Sequence, residues 1–429
     1  MNNKRTFFVL LLVGLLAMCF SSVTAAEKPK KIIVACVKNT SDYKTIKPLI
    51  AKWSEKTGVE VEIIEEDTTT YVSSYVLAGR TGKPKLDVVA IWDFYIDQLY
   101  PMLIPLDGSY DSNISLSPKD KEDFLDIGLT EYKGHPYLLP YSLDTRLLYY
   151  RTDLLEKAGF TRPPETWKEL VEYAQALTKD LDGDGNIDQW GFASICAPGQ
   201  VYNTYTFFDF LFQGLGGIFD EKDKPIFNSS EGVKALQFMV DLRNKYKVMP
   251  PDVITYTNNE VHTGFLAGKF AMVNHWPYLF GMVKGSNVEG KVGYSKEAYC
   301  EGGKSVSVFN KWAFGIPKIS EHKLTAWDLI SYLTSTEAGI FEFSEQKDWP
   351  LRKSVYSAAE VQRLVPDSHR EFSEVVFRIA REFSKPVLLP RAGEVSQIMA
   401  DHIDKGMVGK TSPQETLDAA VAEISKLLR

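Results

Sequence analysis

"KIIVACV", residues 31–37, is the stretch from which the fold is read. Its apolar run from Ile32 to Val37 is unbroken and rich in β-branched side chains. So short a run, with no polar alternation, predicts a strand buried on both faces, as in a parallel sheet. Downstream, Ile46, Leu49, Ile50 and Trp53 recur at helical spacing. "VEVEII" (59–64) alternates as a strand does, "YVSSYVLAG" (71–79) reads as a short helix, and "LDVVAIW" (86–92) as a third buried strand. The order β-α-β-α-β predicts an α/β fold built on an open, mostly parallel sheet with helices on both faces. Ligands of such sheets bind beyond the carboxyl ends of the strands, where Trp92 and Asp93 stand.

A second α/β region follows. "PPETWKELVEYAQALTK" (163–179) sets Thr166 and Glu169 at capping-box spacing ahead of an apolar face. "NSSEGVKALQFMVDLRNKY" (228–246) reads as a helix capped by Asn228. "GFLAGKFAMV" (264–273) is a helix end followed by a strand, and "KWAFGIP" and "LTAWDLISYLT" add one more strand and helix. Near the C-terminus, Ser412, Pro413 and Glu415 form the start signal of a last helix.

The chain of 429 residues is long enough for two or three domains, and its hydrophobic content of 44% allows a large core. A net charge of −7 with no basic stripe argues against a nucleic-acid partner. At the N-terminus Lys4 and Arg5 precede the apolar run Phe7–Phe20, and Val23 and Ala25 supply the small residues of a cleavage site. Residues 1–25 therefore read as a signal peptide, which implies a periplasmic or secreted protein. Lipid attachment at Cys19 is the less favoured reading, because the preceding Met18 is large. Beyond the leader, Cys36, Cys196 and Cys300 show neither metal spacing nor a disulfide framework. Cys36 reads as a small core residue, and a Cys196–Cys300 bridge is left open.

Of the motifs, "DLDGDGNIDQWG" (180–191) places Asp180, Asp182, Asp184 and Asp188 at the acidic positions of a calcium loop, with Gly185 at its sharp turn. The twelfth position, where a bidentate Glu belongs, is Gly191. A plain Asp/Gly turn is favoured over a calcium site. No zinc pair, nucleophile elbow, phosphate loop or dinucleotide fingerprint is present, so a catalytic role is not expected. Aromatic residues make up 12% of the chain and gather at strand ends and turns: Trp92 with Tyr95, Tyr205 with Phe208, Trp276 with Tyr278, and Trp312. A sugar suits such surfaces, since its C–H face stacks on a ring while its hydroxyls pair with polar groups. "PYSLDTR" (140–146) sets Asp144 and Arg146 on one face of an otherwise apolar strand. Buried charges require partners, so the two either pair with each other or meet a ligand.

In their order along the chain, "LDVVAIWDFYIDQLYPMLIPLDG", "YLLPYSLDTRLLYYRTDLLEKAGFTRPPETWKELVEYAQALT", "DGDGNIDQWGF", "PIFNSSEGVKALQFMVDL", "EVHTGFLAGKFAMVNHWPY", "WAFGIPKIS" and "PLRKSV" resemble the extracellular solute-binding proteins of bacterial ABC importers. The resemblance is to the sugar-binding group that includes maltose-binding protein, and it runs from about residue 31 to the C-terminus. It implies a two-lobed periplasmic-binding-protein fold of the type II kind, with the ligand cleft between lobes joined by hinge strands. The N-terminal lobe would comprise 26–143 and 306–340, and the C-terminal lobe 144–305 and 341–429. It further implies a carbohydrate ligand, permease subunits as partners, no cofactor and a monomer. "PYSLDTR" becomes the first crossing segment, with Asp144 resembling the family's acidic sugar ligand and Arg146 beside it. Trp92 and Asp93 resemble the first-lobe site, Tyr43 and Tyr141 join the expected lining, and Tyr205 and Phe208 fall where relatives offer stacking rings. Trp276 or Tyr278 of "NHWPY" takes the place of the ring in the commoner "DGPW". "NKW" at 310–312 replaces the commoner "GGW", and Lys311, beside Trp312, would bring charge to the cleft and favour a charged sugar. Alternatives are a receptor of this fold for a glycerol phosphodiester or polyamine, and a secreted carbohydrate hydrolase.

Overall fold

The computed structural model describes residues 29–38, 43–67, 70–129, 131–199, 201–345 and 349–429. The expected leader at 1–25, with Cys19, lies outside them. Ten strands occur among the described residues: β1 (Lys31–Val37), β2 (Glu60–Glu66), β3 (Val88–Trp92), β4 (Leu139–Thr145), β5 (Leu147–Arg151), β6 (Trp190–Ala193), β7 (Phe270–His275), β8 (Val292–Ser295), β9 (Ser307–Gly315) and β10 (Ser384–Pro386).

β1 lies between β2 and β3, parallel to both, and this double cover explains its unbroken apolar run. The helix Tyr43–Thr57 buries Ile46, Leu49, Ile50 and Trp53, as their spacing predicts. β9 then joins antiparallel to β3, with Trp92 opposite Trp312. Its other edge carries β4, also antiparallel, paired from Leu139↔Phe314 to Thr145↔Phe309 with a bulge between Pro140 and Ser142. The short β10 pairs in parallel with the start of β9. A second sheet runs β6-β7-β5-β8.

β4 and β9 carry the chain between the two sheets. β4 ends at Thr145 and β5, in the second sheet, begins at Leu147, so Arg146 is the one residue between them. Residue 349 returns beside the same crossing, where Leu143 N donates to Trp349 O at 3.2 Å. The two-lobed arrangement inferred from the sequence is thus built on two antiparallel crossing strands.

The helix Asn203–Gln213 is buried along its whole length in the second lobe. It packs against the helices Ser230–Asn244 and Ala392–Met407 and against β9. Ser412 caps the last helix, Pro413–Leu427, with both bonds of the capping box in place.

Two expectations need correction, and the open question of a cysteine bridge is answered. The cap of Ser230–Asn244 is Ser229, which accepts from Gly232 N, while Asn228 donates to Asp418 instead. Cys36, Cys196 and Cys300 are all buried free thiols, so no Cys196–Cys300 bridge forms. The chain does not return to the second lobe at 341. The helix Thr336–Ser344 packs on Tyr43–Thr57 of the first lobe and on the short helices Lys353–Ser357 and Ala359–Leu364. Phe343, Val355, Val361 and Val365 give this region a small core of its own. The return comes with the helix Asp367–Glu382, whose Phe372 stacks on Phe280 at 4.1 Å.

Candidate ligand-binding site

Strand pleating brings together residues far apart in sequence. Trp92 ends β3 and stacks on its partner Trp312 of β9, with ring centroids 6.4 Å apart. From the second lobe, Tyr205 stacks on Trp92 at 5.2 Å and Trp276 meets it edge-on at 6.3 Å. Tyr205 and Trp276 are themselves 6.0 Å apart. Trp92, Tyr205, Trp276 and Trp312, all expected in the cleft, therefore form one aromatic cluster spanning both lobes.

A polar relay underlies these rings. Tyr205 Oη donates to Asn310 Oδ1 (2.7 Å), and Asn310 Nδ2 donates to Asp93 Oδ1 (2.7 Å). The relay ties a second-lobe helix to β9 and to the end of β3. Burial raises the carboxyl of Asp93, and the Lys311 ammonium and amide oppose the rise. Asp144, half-buried on β4, stands opposite Asn310 across the crossing pair. It lies close enough to Tyr278 to help raise that phenol, after burial has done most of it.

Arg146 departs from the expected role beside Asp144. It is fully buried, and its Nη1 donates to Asp209 Oδ2 (3.0 Å) and Thr206 Oγ1 (2.9 Å). Its guanidinium lies 4.9 Å from the Trp276 ring centroid. Asp209 Oδ1 in turn accepts from Val308 N (2.8 Å) at the start of β9. The β-strand argument for a shared face with Asp144 fails because the strand ends at Thr145. Arg146 Nε and Nη2, with Trp92 Nε1, are shielded from solvent and meet no partner among the described residues.

Lys311 also turns out differently. Alternation along β9 sends Asn310 and Trp312 to one face and Lys311 to the other. Its ammonium donates to the carbonyls of Ile127 (3.2 Å) and Gly128 (3.0 Å), with Asp93 at 4.0 Å. Burial lowers its pKa to about 8. It brings no exposed charge to the rings. Tyr141 stacks on Phe314 at 4.5 Å within the crossing pair, and Phe208 is fully buried in its helix, so both are core. Tyr43 donates to Glu65 near the carboxyl end of the edge strand β2. Sequence reasoning missed Asn310, although the two-residue period places it on the face of Trp312.

The acidic loop departs from a calcium loop in two of its expected positions. Oxygens of Asp180, Asp182 and Asp188 come within 4.8 Å of one another, but Asp184 is not among them. Asp180 accepts from Gly183 N (2.7 Å) and Gly185 N (2.9 Å), Asp184 from Asn186 N (2.7 Å), and Asp188 from Leu181 N (2.7 Å). At the twelfth position, a Cβ on Gly191 would lie 1.9 Å from Ala174 O, so no Glu can stand there. The loop is a series of turns closed by its own carboxylates.

The sequence profile of the bacterial extracellular solute-binding proteins matches residues 38–340. The chain belongs to that family. A probable ABC transporter-binding protein of Deinococcus radiodurans is 26% identical over 87% of this chain and 88% of its own length. A mannitol-binding protein of Pseudomonas aeruginosa is 31% identical over 48% of this chain and 47% of its own. Among solved structures, maltose-bound MalE3 of T. maritima superposes with a TM-score of 0.80 at 27% identity, covering 92% of this chain and 99% of that one. The two-lobed solute-binding fold of the family is therefore the fold of this protein, and solute capture, not catalysis, is the family's activity.

Proposed function

We propose that this protein is an extracytoplasmic receptor that captures a neutral carbohydrate or polyol between its lobes and delivers it to an ABC importer. The observation that carries the reading is the aromatic cluster with its unpartnered donors. Indole and phenol rings converge from both lobes, and Trp92 Nε1 with Arg146 Nε and Nη2 lie buried beside them without acceptors among the described residues. Buried donors of this kind call for a partner, and solute hydroxyls supply acceptors while sugar C–H faces suit the rings. Asp144 supplies an acceptor for a hydroxyl donor. The mannitol-binding relative and the maltose-bound neighbour bind solutes of this class. With Lys311 turned away from the rings, the reason for expecting a charged sugar is removed.

A solute touching both lobes stabilises the closed form over the open one. Moving such an equilibrium from 1:99 to 99:1 takes about 5.5 kcal/mol of differential affinity, within reach of several hydrogen bonds and stacked rings. The closed receptor, secreted as a monomer after removal of residues 1–25, then docks on permease subunits.

Tryptophan fluorescence titrated against sugars, polyols, phosphorylated polyols and polyamines tests this reading. Saturable change with neutral sugars or polyols is expected. A response confined to phosphodiesters or polyamines contradicts it, and release of new reducing ends from oligosaccharides would make the protein a hydrolase.

A further inference from the structure

A second cavity lies in the first lobe and shares no residue with the aromatic cluster. Its volume is about 520 Å³, within the range of small-molecule pockets. One wall is the helix Lys323–Leu333, where Trp327 and Ser331 stand one turn apart on the same side. The next helix begins beside it with Ser335 and Thr336. Arg352 and Ser354 line it too. Arg352 is 6% exposed, and its guanidinium bridges Asp123 (3.2 Å) and Asp120 (3.5 Å). Ser354 Oγ donates to Asp123 Oδ2 (2.6 Å) and shares a 2.7 Å hydrogen bond with Thr336 Oγ1, so what the two hydroxyls keep for a solute is acceptor capacity. Ser331 Oγ is shielded and meets no partner.

We infer that this cavity is a second binding pocket for small neutral polyhydroxyl solutes. An indole and several hydroxyls lie within one cavity of suitable size, which is the surface a polyol requires. The charges along its wall are balanced. Lys119 and Arg352 line the same wall as Asp120 and Asp123, and Arg352 is already held by the two carboxylates. A charged solute gains little there, whereas a neutral one keeps the ion pairs intact and adds hydrogen bonds. The inference is independent of the cleft, because no residue is shared between the two.

The test is ¹⁹F NMR of the full chain labelled with fluorotryptophan and titrated with ribitol and mannitol. Trp327→Phe assigns the local resonance. A saturable shift of the Trp327 resonance is expected in the wild type and equally in Asp144→Ala. Ser354→Ala should weaken that response roughly three- to tenfold, with the resonances of Trp92, Trp276 and Trp312 unmoved, which also reports an intact fold. The inference is overturned if Trp327 does not respond, responds without saturating, or responds only when Asp144 is present. It is overturned equally if inorganic phosphate shifts Trp327 and polyols do not. Failure here leaves the cleft resonances free to respond, and failure of the cleft leaves Trp327 free to respond.

Discussion

At the scale of single residues, burial separates Asp144, open on one side to a solute, from Arg146, whose Nη1 is committed to Asp209 while its other two nitrogens stay available to a solute. Asp144 is half-buried beside the rings, so Asp144→Ala should lower solute affinity by about 10- to 100-fold with little change in Tm, read by calorimetric titration and a thermal melt. Arg146 is fully buried and paired with Asp209. Arg146→Met leaves that carboxylate uncompensated and should cost about 3–5 kcal/mol in denaturant unfolding, while Arg146→Met with Asp209→Leu should recover much of the loss. The sequence marked the pair Asp144 and Arg146 as unusual and placed it at the crossing. It could not show that Arg146 answers to Asp209, 63 residues away, because a long-range partner leaves no local spacing to read. Two histidines carry a pH signature. His369, 1% exposed among Phe280, Phe343 and Trp349, has neither ring nitrogen bonded among the described residues, and burial lowers its pKa to about 4. Burial, then His262, lowers His275 to about 3. Below pH 6.5 the unfolded chain takes up protons that the folded one refuses, so stability falls as pH drops from about 6.5 toward 4. His369→Phe should flatten that slope by up to about 3 kcal/mol in unfolding measured across this window.

At the scale of elements, local pattern was legible and long-range assembly was not. The apolar run 31–37 and the helical spacing of Ile46 to Trp53 became β1 and its helix because each pattern reports burial of its own segment. Lys311 was misjudged and Asn310 missed because their roles depend on which face of β9 meets Asp93 and Tyr205. The second-lobe boundary at 341 failed for a similar reason: helices 353–357 and 359–364 close on Phe343 by packing that no linker composition announces. The acidic loop 180–191 shows the converse, a local motif whose ligand count is undone by Gly191 packing against Ala174. Calcium added to the protein should accordingly give no binding heat and no rise in Tm, whereas a saturating isotherm would restore the loop as a metal site.

At the scale of the whole molecule, the crossing strands make lobe position and solute contact one variable. β4 and β9 link the sheets, the Arg146–Asp209 pair pins their second-lobe end, and the Tyr205–Asn310–Asp93 relay with Trp92 joins the lobes across the cleft. A solute that touches both sets of rings therefore shifts the balance between open and closed forms. Small-angle X-ray scattering of the protein with and without saturating neutral sugar or polyol measures this directly. A smaller radius of gyration with solute, needing about 10- to 100-fold more solute in Asp144→Ala, is the result the account predicts. An identical scattering curve with and without a solute that demonstrably binds would contradict it.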